Sequence, residues 1–430
     1  MEMRAAARRI FDAALAEASI SRAFERHVEC ERGLLRVFED LYNLDSFSRT
    51  FVISIGKAGR SLVEALESRA GSRFEGIVAC STAIGSQVRG FRYFQGGHPT
   101  PNAESTRAAE AMLKSVAALD ESSLVIYLLS GGGSSIAERL LDDEVSLEDL
   151  IATYRALVLS GAPIAEINAV RKHLSAIKGG RLAAAAYPAR QVSLLISDVP
   201  DGNPDALASG PTMPDSTTAE DCYSIAAKHG LLEQFPLPVQ ALFTHRALEE
   251  TPKSDHHAFI ASRWWTLLSN KTAVHAAVES AKNEGFYVEI DDNDDWDYVP
   301  AAEHLLKRLL DLRTKSPRVC LINGGEVTVK VSNGGVGGRN QQFVLACVEK
   351  IAGQNIAVLS AGTDGIDGNS PAAGAIADGT TLSRARARGQ DPEASRYRFD
   401  AYSFFHALGD TIEIGPTGNN LRDLRILLAY

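Results

Sequence analysis

Five stretches of the chain share one pattern: a short unbroken run of β-branched and other apolar residues, then a glycine-rich or acidic loop. They are FVISIGKAG (51–59), LVIYLLSGGGSS (124–135), VSLLISDVPDG (192–202), RVCLINGGE (318–326) and IAVLSAGTDGIDG (356–368). Apolar runs without polar alternation fit strands buried on both faces, as in parallel sheets. Helical spacing of apolar positions follows or precedes several of them, over 61–69, 106–118 and 272–284. Alternating strands and helices predict an α/β fold with parallel sheets. In open α/β sheets ligands bind beyond the carboxyl ends of strands, and each of these loops lies there.

Three of the segments precede residue 205 and two follow residue 315. Between them EQFPLPVQALFTHRALEETPKSDHHAFIAS carries three prolines and a charged tract, and reads as an interdomain connection. At 430 residues the chain is too long for one ordinary core, so two domains are expected, over 1–250 and 251–430. The opening MEMRAAARRIFDAALAEA reads as an amphipathic helix and not a signal peptide. No stretch approaches the ~18 apolar residues that span a membrane.

Composition narrows the partners. Hydrophobic content of 45% and charged content of 23% fit a soluble globular protein. A net charge of −10 argues against nucleic acid, yet leaves room for a local basic pocket and an anionic small substrate. The five cysteines are scattered, with no CxxC pair, and fit free buried thiols in a reducing cytoplasm.

The loops carry the candidate chemistry. Lys57 sits between glycines at a strand-to-helix turn, where backbone N–H groups favour an anion. The spacing is not that of a Walker loop, and a solvated lysine is the plain alternative. Gly131, Gly132 and Gly133 let the backbone approach a ligand, with Ser134 and Ser135 as caps, or simply make a tight turn. No GxGxxG occurs here, which weighs against a conventional NAD site. INAVRKHLSAIKGGRLA (167–183) reads as a helix that ends or breaks at Gly179-Gly180, with Arg171, Ser175 and Lys178 on one face aimed at an anionic site or at solvent. Asp198, Asp364 and Asp367 follow strand ends, where a carboxylate holds Mg²⁺, takes a hydroxyl proton, or closes an Asx turn. Arg339 opens a helix, a poor place for the dipole, and so reads as an anion contact. The acidic DDNDDWD (291–297) reads as a solvated turn, RWW (263–265) as packing, and His256-His257 lacks zinc-ligand spacing.

Taken together, the motifs GKAG, GGHPTPNAES (96–105), LSGGGSS, INAVRKHLSAIKGGRLA, SDVPDGNPDALASGPT, GGE, GGRNQQ, GTDGIDG and GPTGNN (415–420) span nearly the whole chain. In this order they resemble the class II glycerate 2-kinases, whose C-terminal half holds a MOFRL-type region, here about 315–425. Departures from the family pattern are Asp201-Gly202-Asn203 where Gly-Asp-Asp is usual, Asn419 for a threonine, and Arg422 for a smaller residue.

The resemblance implies two α/β/α sandwich domains, the first Rossmann-like, with the active site in the cleft between them. It implies a cytoplasmic kinase, monomer or homodimer, of small-molecule (serine or glyoxylate) metabolism, acting on D-glycerate with ATP and Mg²⁺ to give 2-phosphoglycerate. The essential lysine and arginine of the family fall on Lys57 and Arg339, with Asp198 as the third catalytic residue. Expected phosphate contacts are Gly131–Ser135, Lys178, Gly325 and Glu326. Expected substrate contacts are Ser130, Arg171, Asn340 and Asp364, and the expected metal ligands are Asp198 and Asp364. The rival readings are an NAD(P)H-dependent hydroxypyruvate reductase, a kinase of another small hydroxy acid, and a ligand sensor with a decayed site.

Overall fold

The first element, α1 (Glu2–Glu17), has the stripe expected of an amphipathic helix: Ala6, Ala7, Ile10, Phe11 and Ala14 are buried. In the computed structural model, which describes residues 2–430 except Ile84, Asp201, Asp294 and Asn333, that stripe does not pack on the strands that follow it. It packs with Val274, Ala277, Cys320, Leu359 and Ile426 of the second half of the chain. Two compact units result, Met1–Ala23 with Leu268–Tyr430, and Phe24–Leu267 inserted between them. The division expected at 250/251 therefore moves. Thr251 is buried and donates to Asp215 at 2.9 Å, inside the inserted unit. Hydrophobic periodicity says that a helix is buried, not which sheet it covers. Asp201, one of the departures noted above, lies outside the described residues, as do Asp294 of the acidic tract and Asn333 of the glycine-rich stretch.

The inserted unit is built on a six-stranded sheet. Its strands are β1 (Arg49–Ile55), β2 (Glu75–Cys80), β3 (Phe91–Gln95), β4 (Ser123–Leu129), β5 (Arg190–Ile196) and β6 (Ser262–Leu268), in the order β3-β2-β1-β4-β5-β6. The β1–β2, β2–β3, β1–β4 and β4–β5 pairings are parallel, with Ile55 opposite Leu129 at the carboxyl end. This is the doubly wound order of Rossmann-like sheets, and its switch point lies between β1 and β4. α2 (Gly59–Ala70) leaves the β1 turn and covers one face, where a Cβ on Gly59 would lie 3.3 Å from Ser54 Oγ. On the other face Ile53, Ile55, Tyr127 and Leu129 pack on α3 (Ala103–Val116) and α6 (Arg181–Ala186). Alternate residues of a strand point to opposite faces, which is why these runs are apolar throughout. α4 (Leu147–Leu159) and α5 (Ile164–Leu174) share a separate core through Leu150, Leu157, Val170 and Leu174. Trp265 of RWW is packing, as expected: it stacks on Phe38 at 4.8 Å and donates to Asp40.

The other unit holds β7 (Tyr287–Asp291), β8 (Val319–Asn323), β9 (Ile356–Gly362), β10 (Gly374–Asp378), β11 (Thr411–Ile412) and β12 (Asp423–Ala429), ordered β7-β8-β12-β9-β10-β11. Only β7–β8 is parallel; the other four pairings are antiparallel. The expectation of a parallel sheet is thus corrected here. β12 enters between β8 and β9 against both, and a strand buried on two faces reads as the same apolar run in either direction. α1 and α7 (Asn270–Asn283) cover one face, α8 (Tyr298–Leu312) and α9 (Arg339–Val348) the other. The acidic tract is also not wholly a solvated turn: Asp291 is buried and accepts from Arg308 Nη1 at 2.6 Å and Asn293 Nδ2 at 2.8 Å. All five cysteines are free thiols.

Candidate active site

Because β1 and β4 are parallel neighbours, their exit loops meet. Ser130 N donates to Ile55 O and Lys57 N to Gly131 O, each at 2.9 Å, and Ala58 N donates to Ser130 Oγ at 3.1 Å. Ser130, expected to touch substrate, is buried and ties the two loops together. Gly132 has φ +81°, a left-handed conformation that suits glycine, and precedes the single helical turn Gly133–Ile136. The glycines leave room that side chains would fill. A Cβ on Gly131 would collide with the Asp198 carboxylate. One on Gly132 would lie 3.1 Å from Lys57 Cγ and 3.3 Å from His98 Nδ1. Ser135 Oγ lies 3.2 Å from His98 Nδ1, and Ser134 Oγ 2.8 Å from Ser209 Oγ. Burial, and then the Lys57 charge, lower the His98 pKa and favour a neutral imidazole. Lys57 itself is exposed and forms no ion pair among the described residues. The sequence thus brings Lys57, Gly131–Ser135 and Asp198 to one place.

The expected basic face of 167–183 is not one helix. α5 stops at Leu174, Ser175 is extended, and Gly179 and Gly180 take φ of +56° and +82° before α6 begins. Arg171, Ser175 and Lys178 still converge, on Glu138 and Tyr154. Glu138 is fully buried and accepts from Ser175 Oγ at 2.6 Å, from the Tyr154 hydroxyl and from Lys178 Nζ. Lys178, expected to meet phosphate, is 1% exposed, and burial holds its pKa well below that of an ordinary lysine. It is the partner of a buried carboxylate. The Arg171 guanidinium lies 4.4 Å above the Tyr154 ring, and its Nε is buried without a hydrogen-bond partner among the described residues.

In the other unit Arg339 is the first residue of α9. Its Nε donates to Asp423 Oδ2 at 2.7 Å, and its Nη2 to Asp423 Oδ1 at 3.0 Å and Glu326 Oε1 at 2.8 Å. The fork that the sequence suggested for a ligand is therefore already engaged. Asp423 also accepts from Asn340 Nδ2 at 2.9 Å and Arg425 Nη2 at 3.3 Å. Asn340 is buried and its Oδ1 accepts from Ser360, so it braces this network. Asp367 accepts from the backbone N–H groups of Asn340 and Gln341 at 3.1 and 2.9 Å. Burial raises the Asp367 pKa to about 6 against those hydrogen bonds, and burial likewise raises that of Glu326 against the pull of Arg339. At Arg339 burial works downward, but the Asp423 charge and hydrogen bonds outweigh it and the pKa rises. Gly325 N donates to Asn270 Oδ1 at 3.0 Å, and Asp364 Oδ1 accepts from Ile366 N at 3.1 Å in an Asx turn. Asp364, Glu326, Arg339 and Gly337 line a cavity of about 650 Å³.

Sequence reasoning assigned no role to His98, Glu138, Tyr154 or Asp423. His98 stood in the quoted GGHPTPNAES, and Glu138 follows the glycine loop as an acid in an apolar setting. The partners of Glu138 lie 16, 37 and 40 residues away, beyond any local pattern.

Residues 6–244 match the domain of unknown function DUF4147, and residues 319–423 the MOFRL family. The chain is 36% identical to the D-glycerate 2-kinase of Thermotoga maritima over 89% of this chain and 91% of that one. It is 34% identical to the glycerate 2-kinase of Pyrococcus horikoshii over 88% and 87%, and 35% identical to a putative hydroxypyruvate reductase of Agrobacterium vitis over 98% and 93%. A solved structure of glycerate kinase from Thermotoga maritima superposes with a TM-score of 0.87 at 32% identity, covering both chains completely. The chain belongs to the glycerate kinase family in which a DUF4147 domain is joined to a MOFRL domain.

Proposed function

We propose that this protein transfers the γ-phosphoryl group of ATP to the 2-hydroxyl of D-glycerate, giving 2-phosphoglycerate and ADP. The observation that carries the reading is the meeting of an exposed lysine, a bare glycine loop and a strand-end carboxylate at the β1/β4 switch point. Phosphoryl transfer asks a protein mainly for positioning and charge neutralisation, and these groups supply both. The glycerate hydroxyl oxygen attacks the γ-phosphorus, the bond to the β-phosphate oxygen breaks, and Asp198 orients the hydroxyl, whose proton passes to an oxygen of the transferred phosphoryl group. Lys57, tethered only by its backbone, follows the moving phosphoryl charge. Gly131–Ser135 present backbone N–H groups and hydroxyls to phosphate oxygens. Arg339, held by Asp423 and Glu326, keeps Nη1 out of hydrogen bonds among the described residues and supplies the anion contact of its own unit.

Among the described residues no group of three or more His, Cys, Asp or Glu side chains forms a metal cage. Mg²⁺ binds through one or two carboxylates, waters and substrate phosphates, so Asp198 against Gly131 fits it. When bound, the ion neutralises phosphate charge. Among the described residues no helix is long and apolar enough to cross a membrane, and free thiols suit a reducing cytoplasm.

The reductase reading draws on the strand order, which dinucleotide enzymes share. Its first turn, however, is Gly56-Lys57-Ala58-Gly59 and not GxGxxG. ATP turnover with D-glycerate, the product read by phosphorus NMR, tests the proposal. A 2-phosphoglycerate resonance with stoichiometric ADP is expected. A 3-phosphoglycerate product, or NADH oxidation by hydroxypyruvate without ATP, overturns it.

A further inference from the structure

A second cavity, of about 590 Å³, opens within the inserted unit onto the glycine loop itself, at Gly132, Ser134, Ser135 and His98. One wall is a single face of α4, with Ile151, Tyr154, Arg155, Val158 and Leu159 at helical spacing. Pro99 and Pro101 also line the cavity. Val158 and Leu159 are 59% and 71% exposed, an apolar ridge in the lining. Arg171 completes the lining. It has no carboxylate in ion-pair range among the described residues, its Nε has no partner, and it is stacked on a Tyr154 that Glu138 holds in place. Such a cation is built for a ligand that brings an anion or a flat π face.

We propose that this cavity takes the nucleoside of the phosphoryl donor, an inference that rests on the kinase reading above. A three-carbon acid fills only a small part of such a volume, whereas pockets of this size and mixed lining suit a nucleotide. The base lies between the α4 ridge and the two prolines. Arg171 meets the ribose–phosphate side, and the phosphate chain runs onto Gly132–Ser135 towards Lys57. The 650 Å³ cavity of the other unit is the weaker choice for a nucleotide, because Glu326, Asp364 and Asp367 line it beside Arg339, whose charge is already met by Glu326 and Asp423.

The test is ADP titration by calorimetry, in magnesium buffer, of the full chain and of its Val158→Trp and Arg171→Met variants, with KM measured for ATP and for D-glycerate. Val158→Trp fills the cavity from an exposed position; Leu159→Glu replaces it if the tryptophan variant does not fold. Each is expected to weaken ADP about tenfold or more and to raise KM for ATP in step. KM for D-glycerate is expected to stay within about twofold, and Arg171→Lys to recover part of the loss. Unchanged ADP affinity in the filling variants overturns the proposal. A rise in KM for D-glycerate alone also overturns it and gives the cavity to the acceptor. ADP binding is read without turnover, so a wild-type protein that binds ADP but makes no 2-phosphoglycerate refutes the kinase reading while the titrations still decide the pocket.

Discussion

Lys57 and Arg339 are the two cations assigned to the reaction, and they are held in different ways. Lys57 projects from a turn whose backbone is fixed by Gly131 and Ser130, while its ammonium is exposed and without an ion pair among the described residues. Arg339 is engaged by two carboxylates, Glu326 and the fully buried Asp423, and Asp423 is braced in turn by Asn340 and Arg425. A mobile cation suits a charge that moves during the reaction; a fixed one suits a group that must not move. The difference separates activity from stability: one site is expected to lose catalysis alone, the other both.

The largest effect is expected where a buried charge pair supports the first site. Lys178→Met leaves Glu138 without its cation and costs about 3–5 kcal/mol of stability, while Lys178→Met with Glu138→Gln recovers most of it. Denaturant unfolding of both variants measures this, and a single variant as stable as the parent breaks the account of the pair. Next is Asp367. Its folded pKa of about 6 lies above the unfolded value near 3.9, so the native state binds more protons between the two. Its stabilising contribution is full below about pH 4 and is lost as pH rises through 6, on the order of 3 kcal/mol. Thermal unfolding from pH 4.5 to 7.5 should show this slope in the parent and lack it in Asp367→Asn.

The two cations proposed for the reaction follow. Arg339→Ala is expected to reduce kcat about a hundredfold, and to lower the melting temperature because Asp423 loses its bidentate partner. Lys57→Ala should reduce kcat by about the same factor with its melting temperature nearly unchanged. If both variants lose stability equally, the distinction between the two cations fails. Turnover near wild type in either one removes that residue from the mechanism.

The strand-end loops were legible because apolar runs ending in glycine leave few alternatives, and so Lys57, Gly131–Ser135 and Asp198 were found together. Lys178 was misread because a lysine in sequence carries no sign of burial; its carboxylate is 40 residues away. The break at Ser175 escaped because Arg171, Ser175 and Lys178 keep helical spacing across an extended residue. At Arg339 the reading caught the odd position but not its partners, since Asp423 comes from the last strand, 84 residues on. The direction of that strand was equally hidden, because burial on both faces erases the alternation that marks an antiparallel pair.

The placement of α1 bears on the order in which the chain is made. Translation delivers this helix before the inserted unit, yet its packing partners at Val274, Cys320, Leu359 and Ile426 emerge only after the whole of that unit. The inserted unit is complete by Leu267 and is free to fold on the ribosome while α1 waits with its apolar stripe uncovered. During synthesis that stripe, including Ile10 and Phe11, stays open to solvent, and it closes only when β12 has been added.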